Sequence, residues 1–231
     1  MSKVNYLPAE LVIFDMDGII IDSEPFWQSI ERQVFYDLGF DVTFLIKDGQ
    51  TKGMRLDEVI RNWQKILGFD KNLSPIIEAD VVKGIIECIN SEGELIPYAI
   101  EAMDFFIQEG LPLVLASGSN YKIIDAVLDK FSLRNKFSLV YSAEDEIYGK
   151  PHPAIFMTAV SLVNKLPITT VVIEDSLNGV IAAKAASMRV IAVPPESEQD
   201  DIRFSLADCK LQSLAEIKDN AVLEVLGFKI K

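Results

Sequence analysis

The sequence predicts an α/β protein, a doubly wound parallel sheet of Rossmann-like architecture that carries an all-helical insertion. Three observations predict it. Short apolar runs bounded by turn residues recur at residues 11–15, 113–116, 139–141, 171–173 and 190–193, and runs this apolar suit strands covered on both faces. Helix-period segments at 97–108, 120–130, 153–164 and 177–186 alternate with the later runs, the pattern of a parallel sheet with helices on either side. Between the first two strand-like runs, helical patterns follow one another at 27–38, 54–67 and 76–90 with no buried strand among them. The expected domains are therefore an α/β core of residues 1–23 and 97–231 and a helical cap of residues 24–96.

The first strand indicates where a site belongs. Leu11-Val12-Ile13 runs into Phe14-Asp15-Met16-Asp17-Gly18, so two carboxylates leave the end of a buried strand. In open α/β sheets, ligands bind outside the carboxyl ends of the strands. Asp15 and Asp17 would share one face of a regular strand, and Gly18 lets the chain bend so that both acids meet a ligand at the turn. The helical insertion follows at once, which places it over this end of the sheet as a lid.

The segment 97–108 stops at Gly110 and presents Ala99, Met103, Phe106 and Ile107 as a core-facing stripe. The second strand opens into Ser117-Gly118-Ser119-Asn120, where small residues ahead of a helix expose backbone N–H groups to an anion. A plain N-cap is the competing reading. After the third strand comes Gly149-Lys150-Pro151-His152-Pro153, whose prolines hold the lysine backbone in one extended geometry and aim its ammonium at a fixed point. His152 is the only histidine, and loop rigidity already explains its neighbours, so a histidine-based triad has little support. The fourth strand ends in Glu174-Asp175-Ser176-Leu177-Asn178-Gly179, again two acids before a helix. The fifth leads into Pro194-Pro195-Glu196-Ser197-Glu198, a local loop rather than a domain linker.

With 231 residues the chain can bury one sizeable core and a smaller satellite. Its formal net charge of −13 repels nucleic acid and anionic lipid, so neither is an expected partner. A phosphorylated small molecule would need local cations. Cys88 and Cys209 form neither a metal-ligand spacing nor a disulfide framework, as befits reduced thiols. No apolar stretch is long enough to span a bilayer, and the first ten residues contain no apolar leader. A cytoplasmic monomer is the expectation.

Gathered at neighbouring strand ends, these groups suit phosphoryl transfer. Acids such as Asp15, Glu174 and Asp175 would repel one another by about 4 kcal/mol per pair at ~4 Å and an effective dielectric near ~20. A hard divalent cation relieves that repulsion, and an all-oxygen ligand set makes Mg²⁺ the natural choice. Asp15 can then attack phosphorus, because Mg²⁺ and Lys150 offset the repulsion between carboxylate and phosphate. Asp17 can give a proton to the leaving oxygen and later take one from water. Ser117, Gly118 and the following amides hold the transferring group, and an aspartyl-phosphate on Asp15 divides the reaction into two steps. Arg55, close to Gly53 in the insertion, is placed to read the sugar or alditol portion of a substrate, with a surface arginine as the competing reading.

Taken together, Asp15-Met16-Asp17-Gly18 with Asp22-Ser23-Glu24, then Ser117, Lys150 and Glu174-Asp175-Ser176, resemble the four motifs of the haloacid dehalogenase superfamily along the whole chain. The insertion is similar to that family's C1 cap, in the branch of beta-phosphoglucomutase and the sugar-phosphate phosphatases. The resemblance implies Asp15 as nucleophile and Mg²⁺ ligand, Asp17 as general acid and base with its carbonyl on Mg²⁺, and Asp175 as a Mg²⁺ ligand with Glu174 beside it. Within the branch, residues 22–27, Gly53-Met54-Arg55 and the stretch 193–208 look most like hexitol and 2-deoxyglucose-6-phosphate phosphatases. The mutases of this branch carry a histidine where Trp27 stands, which favours hydrolysis over a phosphohexomutase. Other readings are a non-catalytic sugar-phosphate sensor and a Ca²⁺-binding loop. The latter would put Gly18 and Glu24 at the right EF-hand positions but Ile13 at the first ligand position.

Overall fold

The computed structural model describes residues 6–47 and 51–228. Six strands, β1 (Leu11–Phe14), β2 (Leu113–Ser117), β3 (Leu139–Ser142), β4 (Thr170–Glu174), β5 (Arg189–Ala192) and β6 (Cys209–Lys210), form one sheet in the order β3-β2-β1-β4-β5-β6. Every pairing is parallel. The chain thus has the expected doubly wound fold, with all five anticipated strands in place. β6 was not anticipated, because two residues are too few to carry a periodic signal.

Alternation along the strands sets the two layers. Val12, Phe14, Leu113, Leu115, Val171 and Ile173 belong to one apolar cluster and Leu11, Ile13, Val114, Ala116 and Val172 to another, all with 1% exposure or less. The first face meets α5 (Ala99–Gln108), α6 (Tyr121–Lys130) and α9 (Asn220–Val225), and the second meets α7 (Ala154–Leu162) and α8 (Leu177–Ala185). Both faces are dry, so the strands read as unbroken apolar runs. On α5, Ala99, Met103 and Phe106 are buried as expected, but Ile107 is 42% exposed. At about 100° per residue, a position directly after Phe106 turns off the stripe, and Ala102 and Phe105 complete the buried face instead.

Between β1 and α5 lie α1 (Glu24–Asp37), α2 (Thr43–Lys47), α3 (Leu56–Leu67) and α4 (Ser74–Glu92). They share apolar packing of their own. Phe35 of α1 meets Trp63 of α3 edge-on at 5.1 Å and Phe69 at 5.7 Å. Ile77, Val81, Ile85 and Ile89, each four residues apart on α4, are all fully buried. The five-residue α2 and six-residue α9 gave no readable period. Cys88 and Cys209 are both free, and among the described residues no helix is long and apolar enough to cross a membrane.

β1 is central, pairing Ile13 with Val114 on one side and Val172 on the other. The strand order reverses beside it, so its carboxyl end lies at the topological switch point where ligand crevices form.

Candidate active site

Three strand ends and one loop meet there. Asp15 follows β1, Ser117 closes β2, Glu174 closes β4 with Asp175 after it, and Lys150 precedes α7. The Lys150 ammonium bonds Asp15 Oδ1 at 2.8 Å and also pairs with Glu174. All four charged groups are buried, with Lys150 only 1% exposed. The second Glu174 oxygen, Oε2, accepts from the backbone N–H and hydroxyl of Ser176 at 3.0 and 2.9 Å. Ser176 Oγ in turn accepts from Gly179 N–H at 3.1 Å and caps α8. A Cβ on Gly179 would lie 1.8 Å from Glu174 Oε1, so only glycine leaves room for this carboxylate.

Asp17 is gripped from two sides. Ser23 Oγ (2.5 Å) and Trp27 Nε1 (3.2 Å) donate to its Oδ1 from the start of α1. Ser119 Oγ (2.8 Å) and Ser117 Oγ (3.4 Å) donate to its Oδ2 from the turn after β2. Ser23 occupies the N-cap position of α1 yet makes no side-chain cap bond; its hydroxyl serves Asp17 instead. Gly18 turns the chain with φ +77°, and a Cβ there would lie 2.2 Å from Asp175 Oδ2. The bend expected from Gly18 is therefore also a close approach.

The insertion supplies a second cation. Lys52 Nζ lies 2.7 Å from Asp175 Oδ2 and 3.5 Å from Glu198 Oε1. Burial pushes Asp15 well above the carboxylate range against the pull of Lys150, and Glu174, Asp175 and Asp17 add to the rise. Asp175 is pushed up to about 7 by burial, with Lys52 opposing and Glu174 adding. Burial works against the Lys150 ammonium, but Asp15 and Glu174 outweigh it and hold its pKa above the ordinary lysine value. Carboxylate oxygens of Asp15, Glu174 and Asp175 lie within 4.8 Å of one another. A buried, all-oxygen cluster of this size fits a hard divalent cation.

A cavity opens above these groups, lined from the core by Asp15, Asp17, Gly18, Gly118, Ser119 and Asp175 and from the insertion by Trp27, Glu31, Lys52, Gly53 and Met54, among others. Gly53 approaches closely enough that a Cβ on it would lie 2.5 Å from Ser176 Oγ. Arg55 lies instead on an adjoining cavity with Asp57, Asn120 and Glu144. Its guanidinium pairs with Asp57 at 2.8 and 2.7 Å and donates to the Glu146 carbonyl. Glu58 Oε1 accepts from Gly149 N–H at 3.1 Å, so the start of α3 is clipped to the loop before Lys150. His152 is exposed, packs on Tyr148 at 5.1 Å and lines neither cavity.

Sequence reasoning did not single out Lys52, Glu31 or Glu58. A lysine before a glycine in a loop is ordinarily a solvated charge, and its partner Asp175 is far along the chain. Glu31 did carry a signal, because it lies one helical turn beyond Trp27 and two beyond Glu24.

A family model described as haloacid dehalogenase-like hydrolase matches residues 9–187. Hexitol phosphatase B of Escherichia coli (strain K12) is 38% identical over 205 residues, covering 89% of this chain and 92% of that protein. CbbY from Rhodobacter sphaeroides, solved in complex with phosphate, superposes with a TM-score of 0.82 at 23% identity, over 94% of this chain and 99% of that one. The beta-phosphoglucomutase of Clostridium difficile gives a TM-score of 0.82 at 21% identity, over 94% and 97% of the two chains. These two likenesses establish the fold.

Proposed function

The chain belongs to the haloacid dehalogenase-like hydrolases and is a phosphoric monoester hydrolase; on that premise we propose that it hydrolyses small sugar-alcohol or sugar phosphates through an aspartyl-phosphate on Asp15, with Mg²⁺ as cofactor. The observation that carries this reading is the Asp17 carboxylate, held at once by the core and by the first helix of the insertion. A proton donor fixed this way sits beside the nucleophile only when the insertion, the proposed cap of residues 24–96, lies over the sheet. The 38% identity to hexitol phosphatase B supports a hexitol phosphate as the substrate class.

Asp15 and Asp175 with the Asp17 backbone carbonyl would hold the cation, with Glu174 beside them. A divalent ion there supplies positive charge that offsets the negative charge of the phosphate and carboxylates. In the first step an Asp15 oxygen bonds to phosphorus and the bond from phosphorus to the sugar oxygen breaks. Asp17 passes a proton to that oxygen, and the free polyol leaves. Lys150 keeps Asp15 oriented, while Ser117 and the amides of Gly118 and Ser119 hold the phosphoryl oxygens. In the second step a water oxygen bonds to phosphorus, its proton goes to Asp17, and the Asp15–phosphorus bond breaks to release inorganic phosphate. Trp27 donates to Asp17 but has no titratable nitrogen with which to relay protons to a second sugar phosphate, which supports water as the acceptor.

A panel of hexitol and hexose phosphates, assayed with Mg²⁺ and with and without a hexose 1,6-bisphosphate, tests the reading. It predicts release of inorganic phosphate from hexitol phosphates, independent of the bisphosphate and abolished in Asp15→Asn. Bisphosphate-dependent isomerisation without phosphate release would replace it with a mutase.

A further inference from the structure

Glu31 lies on α1 with 8% exposure and lines the cavity above Asp15. Ile46, Leu56 and Val59, which also line the cavity, have side chains that offer no hydrogen bond. The other charged side chains lining the cavity are engaged. Asp15 bonds Lys150, Asp17 takes four donors, Lys52 pairs with Asp175, and Glu24 accepts from Gln28 at 3.0 Å. Among the described residues, Glu31 makes no hydrogen bond or ion pair. Its carboxyl is left to the cavity rather than to a protein partner, and holding a largely buried acid there disfavours its charged form, whereas a leucine at this point of α1 would simply extend the apolar wall. The position therefore favours a group that finds its partner in the ligand.

We propose that Glu31 is a specificity-determining residue of this site, accepting and donating hydrogen bonds to polyol hydroxyls several carbons from the phosphate. The inference rests on the phosphatase reading above and deepens it. Trp27, which touches Asp17, and Glu31 are four residues apart on one helix, so Glu31 stands about one turn, ~6 Å, farther along the cavity wall than the proton donor. A chain leaving the scissile oxygen next to Asp17 passes Trp27 and brings its middle hydroxyls to Glu31. Burial and then Glu24 push the Glu31 carboxyl up to about 8. It therefore enters the cavity uncharged, does not repel a phosphate dianion, and offers both a donor and an acceptor to neighbouring hydroxyls. A site built to hydrogen-bond hydroxyls rejects ligands that lack them far more strongly than an apolar wall rejects extra ones.

The test compares kcat/KM for glucitol 6-phosphate and for p-nitrophenyl phosphate, which has no hydroxyls, in wild type, Glu31→Gln and Glu31→Leu. We expect the preference for the polyol phosphate to fall in Glu31→Leu by about tenfold or more, most of it in KM, with Glu31→Gln in between. Thermal melting supplies a second readout, and Glu31→Leu is expected to raise Tm. An unchanged preference, or a parallel loss on both substrates with a lowered Tm, would overturn the proposal and leave Glu31 a structural group. If wild type turns over neither substrate, or Asp15→Asn keeps full activity, the phosphatase reading fails instead.

Discussion

At the scale of single residues, the site works by denying its acids any freedom. Asp15 is tied to Lys150 at 2.8 Å, and Asp17 receives four donors. Asp15→Asn keeps the size of the side chain but removes the proposed nucleophile, and kcat for hexitol phosphates is expected to fall by a factor of roughly 10³ or more in steady-state assays. Trp27→Phe removes one donor from Asp17 while keeping an aromatic wall. The loss of one hydrogen bond to Asp17 is expected to lower kcat by about tenfold, or about 1.4 kcal/mol. A kcat equal to wild type would show that Ser23 and Ser119 suffice to seat Asp17. Asp15, Asp17, Lys150 and Asp175 were legible in the sequence because each stands beside a strand end or a proline, where residue type and position point to the same chemistry. Lys52 was not, because a lone lysine in a loop matches the ordinary solvent-facing pattern, and Glu31's spacing from Trp27 was a signal overlooked because a glutamate on a helix usually faces solvent. Only tertiary packing turns them inward.

At the scale of elements, the insertion shares an apolar cluster with the core, Lys130 of α6 donates to the Asn90 carbonyl of α4 at 3.2 Å, and a few polar clips add to this near the site. Arg55 and Glu58 at the start of α3 bind the Glu146 carbonyl and Gly149 N–H, and Asn178 Nδ2 donates to the Lys52 carbonyl at 2.8 Å. Arg55, anticipated as a reader of substrate, here pairs with Asp57 and the Glu146 carbonyl beside an adjoining cavity, while Gly53 lines the cavity above Asp15. The double variant Arg55→Ala/Glu58→Ala is expected to raise KM for hexitol phosphates and to speed hydrogen exchange of the α3 amides. Unchanged exchange would show that apolar packing alone holds the insertion in place. Lys52 also sits where it opposes a cation at Asp175. Calorimetric titration of Lys52→Met with Mg²⁺ is expected to give several-fold tighter binding than wild type, and weaker binding would show that Lys52 helps to order the metal site. The β-strands and longer helices could be read from sequence periodicity, whereas β6, α2 and α9 are too short to display one. Ile107 was misread because a single residue step moves a side chain off the buried stripe of a helix.

At the scale of the whole molecule, the fold accepts instability at the site. Native Glu31 keeps its proton up to about pH 8, whereas the ordinary glutamate value is 4.5. Between those values the native state binds more protons than the unfolded chain, so stability contributed at Glu31 is present below the lower value and is lost as pH rises to the upper one. The Tm difference between Glu31→Gln and wild type is therefore expected to widen in favour of the variant from about pH 5 to about pH 8.5; a constant difference would mean that Glu31 does not titrate in this window. The central β1 brings Asp15, the proposed nucleophile, to the switch point, the flanking strands bring Ser117 and Asp175, and the insertion brings Trp27 and Lys52, so every layer contributes to one site. In the proposed reaction the phosphoryl group passes through Asp15 on the way to water. The stereochemical course at phosphorus in an oxygen-isotope-chiral hexitol phosphorothioate, hydrolysed in water of the third oxygen isotope, measures this directly. Two successive in-line displacements, at Asp15 and then at water, predict net retention of configuration, and net inversion would contradict the account by showing that water attacks the substrate in a single step.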